Sequence, residues 1–155
     1  MFMCDIFNNI LGESVLKADI LIHKVSRNKV YLRNYMNNRK CNPLLTYGLL
    51  GSFLRSIASI QKNAPKVTYP YLLILGEKDM VVDNTAARNW HSATTSKTKE
   101  IKLMAGAFHE LSKEPNNGVM FETVLKFAVK RAADGAQAFG VLNPKEVNFS
   151  RRLMP

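Results

Sequence analysis

The sequence predicts an α/β fold, and the prediction depends on two short apolar segments separated by a helix-sized stretch. Residues 71–75 form an uninterrupted apolar run, which is typical of a strand buried on both faces of a parallel sheet. Residues 101–104 are predicted to form a second short strand. If these strands are parallel neighbours, a right-handed crossover returns the chain to the same edge of the sheet.

Three helices are predicted before the first of these strands. Residues 1–22 carry apolar side chains at helical spacing and indicate a first helix. Ser26 or Asn28 can cap a second, short helix. Residues 44–63 form the most amphipathic segment of the chain, and we expect its apolar face to pack in the core.

Two more helices are predicted after the first strand. Asp83 is the expected N-cap of a helix that runs towards residue 93. A last helix follows the loop at residues 114–118, and cationic side chains near its end complement its dipole. Glycines and a proline then interrupt the pattern, so residues 134–155 are expected to form a flexible tail.

A carboxylate and an imidazole follow the two predicted strands. In open α/β sheets, ligands bind just beyond the carboxyl ends of the strands, and Asp79 and His109 both lie in that zone. If the strands are adjacent, the two side chains can meet. A carboxylate that accepts a hydrogen bond from an imidazole fixes its tautomer and stabilises its cationic form. This pair is one half of an acid–base–nucleophile system.

These loops also carry a family resemblance. The sequences Gly-Glu-Lys-Asp at residues 76–79 and Gly-Ala-Phe-His-Glu-Leu-Ser-Lys-Glu at 106–114 resemble the carboxyl-terminal part of monoacylglycerol lipase and lysophospholipase-like α/β-hydrolases. In that family a G-x-x-D loop carries the triad acid and a G-(A/G)-x-H-x-x-x-x-E loop carries the base. The resemblance therefore implies catalytic roles for Asp79 and His109, and the acid precedes the base as this fold requires.

The resemblance also implies a division of the chain. Residues 1–65 would be a cap-like helical segment, and residues 66–133 would be the last two parallel strands of a partial α/β-hydrolase fold with their helices. In the family, the helix within residues 44–63 lines an acyl channel below a lid that contacts membrane. This is an alternative to packing that helix in the core.

One element of the family is absent from the 155 residues. No serine lies in a G-x-S-x-G nucleophile elbow, and Ser52 lies on the amphipathic helix rather than on a strand-to-helix turn. We therefore expect a fragment or truncated relative of a serine hydrolase for monoacylglycerol or lysophospholipid esters, inactive by itself. The alternative is a non-enzymatic module that binds a lipid surface or a partner through its basic charge and amphipathic helix.

The net charge of +10 bears on the partners of the chain. Such a charge attracts acidic membrane surfaces and nucleic acids, although surplus lysines can simply solvate the surface. The basic residues are spread out and no nucleic-acid motif accompanies them, so nucleic acid is not an expected partner. The resemblance implies a lipid ester as substrate and leaves a membrane surface as a second partner.

The remaining chemistry-bearing residues suggest little else. Cys4 and Cys41 are too few for a disulfide framework, which favours a reducing, cytoplasmic location, with peripheral membrane attachment as the alternative. His23 and His91 are expected at the surface, and no metal or cofactor is expected because histidines and cysteines lack metal-ligand spacing. Glu114 is expected to bind backbone in the histidine loop or to cap the final helix.

Overall fold

The computed structural model describes residues 13–17, 22–38 and 44–138. Contacts divide the chain into two compact units, Met1–Pro115 and Asn116–Pro155. In the first unit the strands and helices are β1 (Val15–Lys17), α1 (Lys29–Asn37), β2 (Leu44–Thr46), α2 (Tyr47–Lys62), β3 (Tyr71–Gly76), α3 (Asn84–Ala93) and β4 (Lys99–Met104). The described part of the second unit contains α4 (Asn117–Ala138).

The strands β3 and β4 form the parallel pair that the sequence predicted. Tyr71 pairs with Lys99 at one end of the register and Gly76 pairs with Met104 at the other. The crossover between them contains α3, which Asp83 caps by accepting a hydrogen bond from the backbone N–H of Thr85 at 2.7 Å. The α/β class, both strands and this cap are confirmed.

The expectation that the first strand is buried on both faces is wrong for most of its length. Only its last two residues, Leu75 and Gly76, are buried, and residues 71–74 are half-buried. A sheet of two strands has few neighbours to cover its faces within the described residues. Burial therefore concentrates at the carboxyl end of β3, where the loops that follow both strands meet.

A second pair of strands, β1 and β2, is antiparallel. These strands occupy residues 15–17 and 44–46, where the sequence predicted helix. The strand β1 pairs with β2, with Val15 opposite Thr46 and Lys17 opposite Leu44. The predicted first helix is thus wrong at residues 15–17, and its remaining residues up to 21 lie outside the described ranges apart from 13 and 14. Backbone pairing across almost thirty residues overrides the local helical spacing, and this pairing has no local signature.

The caps of α1 and α2 explain where these helices begin. Asn28, rather than Ser26, caps α1 by accepting hydrogen bonds from the backbone N–H groups of Val30 and Tyr31, each at 3.1 Å. Thr46 caps α2 in the same way through the N–H of Leu49 at 3.1 Å. The side-chain oxygens satisfy N–H groups that have no partner inside the helix.

The apolar face of α2 is not packed in the core. Tyr47 and Leu50 are half-buried. Five other large apolar side chains are between 47% and 56% exposed, namely Leu49, Phe53, Leu54, Ile57 and Ile60. The expectation of core packing is therefore wrong for this helix, because the two-stranded sheet has too little surface to cover it. Every helix in the described part of the chain is too short or too polar to cross a bilayer.

The helix α4 continues beyond the predicted end of the core. It extends to Ala138, so residues 134–138 are helical where the tail was expected to begin. Residues 139–155 lie outside the described ranges. The cap-to-core division at residue 65 stays a prediction, since the boundary between the two units falls at residue 115 and concerns a different part of the chain.

A polar cluster closes the amino-terminal end of the parallel sheet. The hydroxyl of Tyr71 lies 3.0 Å from Nδ1 of His91 and 2.7 Å from Oγ1 of Thr94. Nζ of Lys99 donates to the carbonyls of His91 at 2.6 Å and Thr94 at 2.7 Å. His91 is half-buried, so the expectation that it lies at the surface is wrong. Burial lowers the pKa of His91, and the charge of Lys99 lowers it further.

We expect Tyr71→Phe to lower the free energy of unfolding by about 1–2 kcal/mol, because the buried Thr94 hydroxyl loses a hydrogen-bond partner. The matched control is Tyr69→Phe, which removes the same hydroxyl from a residue that is 62% exposed. Urea denaturation of both variants measures the difference. Equal losses of stability in the two variants would contradict the structural role of this cluster.

Candidate active site

The loops after β3 and β4 are joined by backbone hydrogen bonds. The N–H of Glu77 donates to the carbonyl of Met104 at 3.0 Å, and the N–H of Lys78 donates to the carbonyl of Ala107 at 2.9 Å. These bonds continue the ladder of the sheet past the last paired residue. They therefore hold the loop that bears Asp79 against the loop that bears His109.

The structure brings Asp79 and His109 into direct contact. Nδ1 of His109 lies 2.9 Å from Oδ2 of Asp79, and their side chains are 34% and 6% exposed. Oδ1 of Asp79 accepts the backbone N–H groups of Val81 at 2.8 Å and Val82 at 3.1 Å. The carboxylate can only accept, so Nδ1 carries the proton and Nε2 is left as a proton acceptor.

The environment of Asp79 favours the ionised carboxylate. Burial acts to raise the pKa of Asp79, but hydrogen bonds from His109, Val81 and Val82 outweigh it and hold the pKa below its ordinary value. Asp79 is therefore an anion at neutral pH. This is the state in which a carboxylate orients an imidazole and stabilises its cationic form.

Glycine is required at the turn before the histidine. Gly106 has a φ of +64°, a conformation that side-chain-bearing residues rarely adopt. Its N–H donates to Oε2 of Glu77 at 2.7 Å. Glu77 therefore holds the backbone of the histidine loop, whereas Asp79 contacts the imidazole.

Ser26 and Arg27 contact Glu114 in the site, although the sequence did not indicate this contact. Glu114 is buried, as 4% of its surface is exposed, and it accepts hydrogen bonds from Ser26 and Arg27. The backbone N–H of Phe108 also helps to lower its pKa. The interaction with the N–H of Phe108 agrees with the predicted contact to the histidine loop. Ser26 and Arg27 lie almost ninety residues away, and no motif marks them.

Neither a hydroxyl on α2 nor a metal cluster adds to the site within the described ranges. Oγ of Ser52 donates to the carbonyl of Gly48 at 2.9 Å and accepts from Arg55, so its hydroxyl is bound within α2. Among residues 13–17, 22–38 and 44–138, no three His, Cys, Asp or Glu side chains are grouped so that they could hold a metal ion. The chemistry that the described site can supply is that of an oriented, proton-accepting imidazole.

The sequence of this chain matches a known protein family and known lipases. The sequence model of the family described as serine aminopeptidase, S33 matches residues 1–116. Monoglyceride lipase from Mus musculus is 30% identical over 86 residues, which are 54% of this chain and 28% of the mouse protein.

Two solved structures share the fold. Monoacylglycerol lipase from Paleococcus ferrophilus superposes with a TM-score of 0.73 at 21% identity, over 80% of this chain and 48% of the other. A soluble variant of monoglyceride lipase from Saccharomyces cerevisiae, in complex with a substrate analog, gives 0.74 at 16% identity, over 83% and 48%. The chain thus spans about half the length of these structures. It belongs to the serine aminopeptidase S33 family, with the α/β-hydrolase fold of the monoacylglycerol lipases.

Proposed function

We propose that Asp79 and His109 are the acid and the base of a serine hydrolase that cleaves monoacylglycerol or lysophospholipid esters. The hydrogen bond of 2.9 Å between Nδ1 of His109 and Oδ2 of Asp79 carries the proposal. The names of the relatives support the substrate class, since the mouse and yeast proteins are monoglyceride lipases. The chain spans about half the length of the solved structures that it matches. The proposal therefore concerns the roles of these two residues and not an activity of the 155 residues by themselves.

The geometry defines what each group would do. A serine hydroxyl would attack the ester carbonyl while Nε2 of His109 takes its proton, and the alcohol would leave with that proton. Water would then release the fatty acid by the same route. Asp79 would hold the imidazole and stabilise its cation throughout. No residue of this sequence lies in a G-x-S-x-G elbow, so the attacking hydroxyl is assigned to none of the 155 residues.

We expect the 155-residue polypeptide to hydrolyse a short-chain nitrophenyl ester no faster than its Asp79→Asn variant. Loss of the nucleophile from a serine triad lowers kcat by about 10⁶-fold, because the triad acts as a unit. The measurement is the steady-state release of nitrophenol at neutral pH. Sustained turnover that disappears in the Asp79→Asn variant would show that a nucleophile is present and would contradict the proposed inactivity.

A hybrid protein tests the roles of the two residues directly. The amino-terminal part of mouse monoglyceride lipase, which would supply a G-x-S-x-G elbow, is joined ahead of this chain. We expect monoacylglycerol hydrolysis that Asp79→Asn lowers by about 10⁴-fold in kcat. Asp83→Asn is the matched control, because asparagine caps a helix as well as aspartate does. An active hybrid that is insensitive to Asp79→Asn would exclude the proposed role.

One observation favours a second candidate, a non-enzymatic module that attaches peripherally to lipid surfaces. The apolar face of α2 is about half exposed, and the chain carries a net charge of +10. Exposed apolar side chains combined with positive charge suit a membrane rich in anionic lipids. Salt-sensitive binding to anionic vesicles, without ester turnover by the hybrid, would favour this candidate over the hydrolase.

A further inference from the structure

Glu114 joins the histidine loop to a distant segment of the same unit. Its Oε1 accepts the backbone N–H of Arg27 at 2.8 Å and the hydroxyl of Ser26 at 3.0 Å, and its Oε2 forms an ion pair with Nε of Arg27. The side chain of Glu114 is only 3% exposed. A buried carboxylate with this many donors is held in one position, because each lost donor would leave a buried charge under-solvated.

The same contacts bracket His109 on both sides along the chain. The N–H of Phe108, immediately before it, interacts with the Glu114 carboxylate and helps to lower its pKa. The N–H of Glu110, immediately after it, donates to the carbonyl of Val25 at 2.8 Å. The peptide units on either side of His109 are therefore tied, directly or through Glu114, to residues 25–27. Movement of that segment would rotate the backbone that carries the imidazole.

We infer that Glu114 is a positioning residue that aims His109 at Asp79 while residues 25–27 are docked against the histidine loop. Because α1 begins two residues after Arg27, the docked segment also links the cap-like part of the chain to the imidazole. A displacement of that part would loosen the Asp79–His109 hydrogen bond before it disturbed the sheet. This inference depends on the proposed function, in which that hydrogen bond prepares the base.

If Glu114 only stabilised the fold, its substitution would change stability and nothing else. The test must therefore measure the His109 imidazole directly. NMR of the 155-residue protein, labelled with ¹⁵N at histidine, reports the Nδ1 proton of His109 through its shift and its exchange with water. The wild type is expected to show this signal because Asp79 accepts the proton. Glu114→Gln keeps the shape of the side chain but replaces one acceptor oxygen with a donor that faces the donors of Arg27. We expect the signal to be lost in this variant.

A milder variant keeps the test decisive if Glu114→Gln fails to fold. Ser26→Ala removes one donor and leaves the charge of Glu114 in place, so the Nδ1 proton should exchange about fivefold faster. The matched control is Tyr71→Phe, which loses stability at the opposite end of the sheet. In Tyr71→Phe, the His109 Nδ1 proton signal and its exchange rate should equal those of the wild type.

The outcomes separate this inference from the proposed function. A wild-type signal that persists unchanged in Ser26→Ala, and in Glu114→Gln where it folds, overturns the positioning role and leaves the proposed acid–base pair intact. A wild type without the signal overturns the pair, and the positioning role with it. Equal effects of Ser26→Ala and Tyr71→Phe would show that stability alone is being measured, which also overturns the inference.

Discussion

Replacing Gly76 with alanine is expected to lower the free energy of unfolding by about 3 kcal/mol or more, or to displace the histidine loop from the sheet. A Cβ atom at this position would lie 2.2 Å from the carbonyl oxygen of Phe108 and 2.8 Å from that of Ala107. Both distances are far below van der Waals contact. Both obstacles are backbone atoms, so a change of rotamer cannot relieve the clash.

The clash is severe because the histidine loop is already fixed from several directions. The carbonyl of Ala107 accepts the N–H of Lys78, and the carbonyl of Gly76 itself accepts Nδ2 of Asn84 at 2.7 Å. A shift of one or two ångströms at residue 107 or 108 would break these bonds. It would also carry His109 away from Asp79. The variant should therefore lose the Asp79–His109 hydrogen bond even where it remains folded.

Urea denaturation and the NMR signal of the His109 Nδ1 proton measure the two effects. The matched control is Gly51→Ala in α2, where an added Cβ would meet the far end of the Arg55 side chain at 3.4 Å, an ordinary van der Waals distance. Alanine favours a helix interior over glycine by about 1 kcal/mol, so this variant should be as stable as the wild type or more stable. A Gly76→Ala protein with wild-type stability and an intact Nδ1 signal would show that the two loops are not in close contact.

Local sequence patterns were sufficient for the part of the fold that carries the candidate site. The apolar run at residues 71–75 and the acid and base after the two strands lie within forty residues of one another. A single crossover connects them, and the handedness rule leaves only one arrangement. The contact between Asp79 and His109 could therefore be predicted without knowing the rest of the chain.

Features that depend on distant residues could not be predicted in this way. The pairing of β1 with β2 and the contact of Ser26 with Glu114 join segments that share no periodicity and no motif. The apolar face of α2 has the spacing of a core helix, yet much of it is exposed, and the sheets formed by the described residues have two strands each. Helical spacing indicates which side chains share a face, and only the tertiary structure determines what covers that face.

Glu114→Gln is expected to lower the free energy of unfolding by about 2–4 kcal/mol at pH 7. Breaking a buried ion pair costs about 3–5 kcal/mol, and the partial exposure of Arg27, at 38%, reduces this because water can solvate the released guanidinium. The donors on Ser26 and Arg27 would lose a charged acceptor. This is the second large effect expected of a single substitution in the site.

The same contacts predict how stability depends on pH. Burial acts to raise the pKa of Glu114, but hydrogen bonds from Arg27, Ser26 and Phe108 outweigh it and hold the pKa below the ordinary value of 4.5. The unfolded chain therefore takes up a proton at a higher pH than the folded chain does. The stabilisation is complete above pH 4.5 and is lost as the pH falls through the folded-state pKa. Asp79 acts in the same direction from its ordinary value of 3.8.

Denaturation by urea at several pH values between 7 and 3 tests this dependence. The wild type should lose some stability below pH 6.5, because folding lowers the pKa of His91 and the unfolded chain takes up that proton first. Its stability should then fall more steeply below pH 4.5. Glu114→Gln should start lower and decline less, since Asp79 is then the remaining carboxylate of the site whose lowered pKa contributes to the slope. The control is Glu122→Gln, because Glu122 pairs with Lys126 on the surface of α4, where water replaces a lost partner. If Glu114→Gln declined in acid as steeply as the wild type, the carboxylate of Glu114 would not be the group whose protonation loosens the histidine loop.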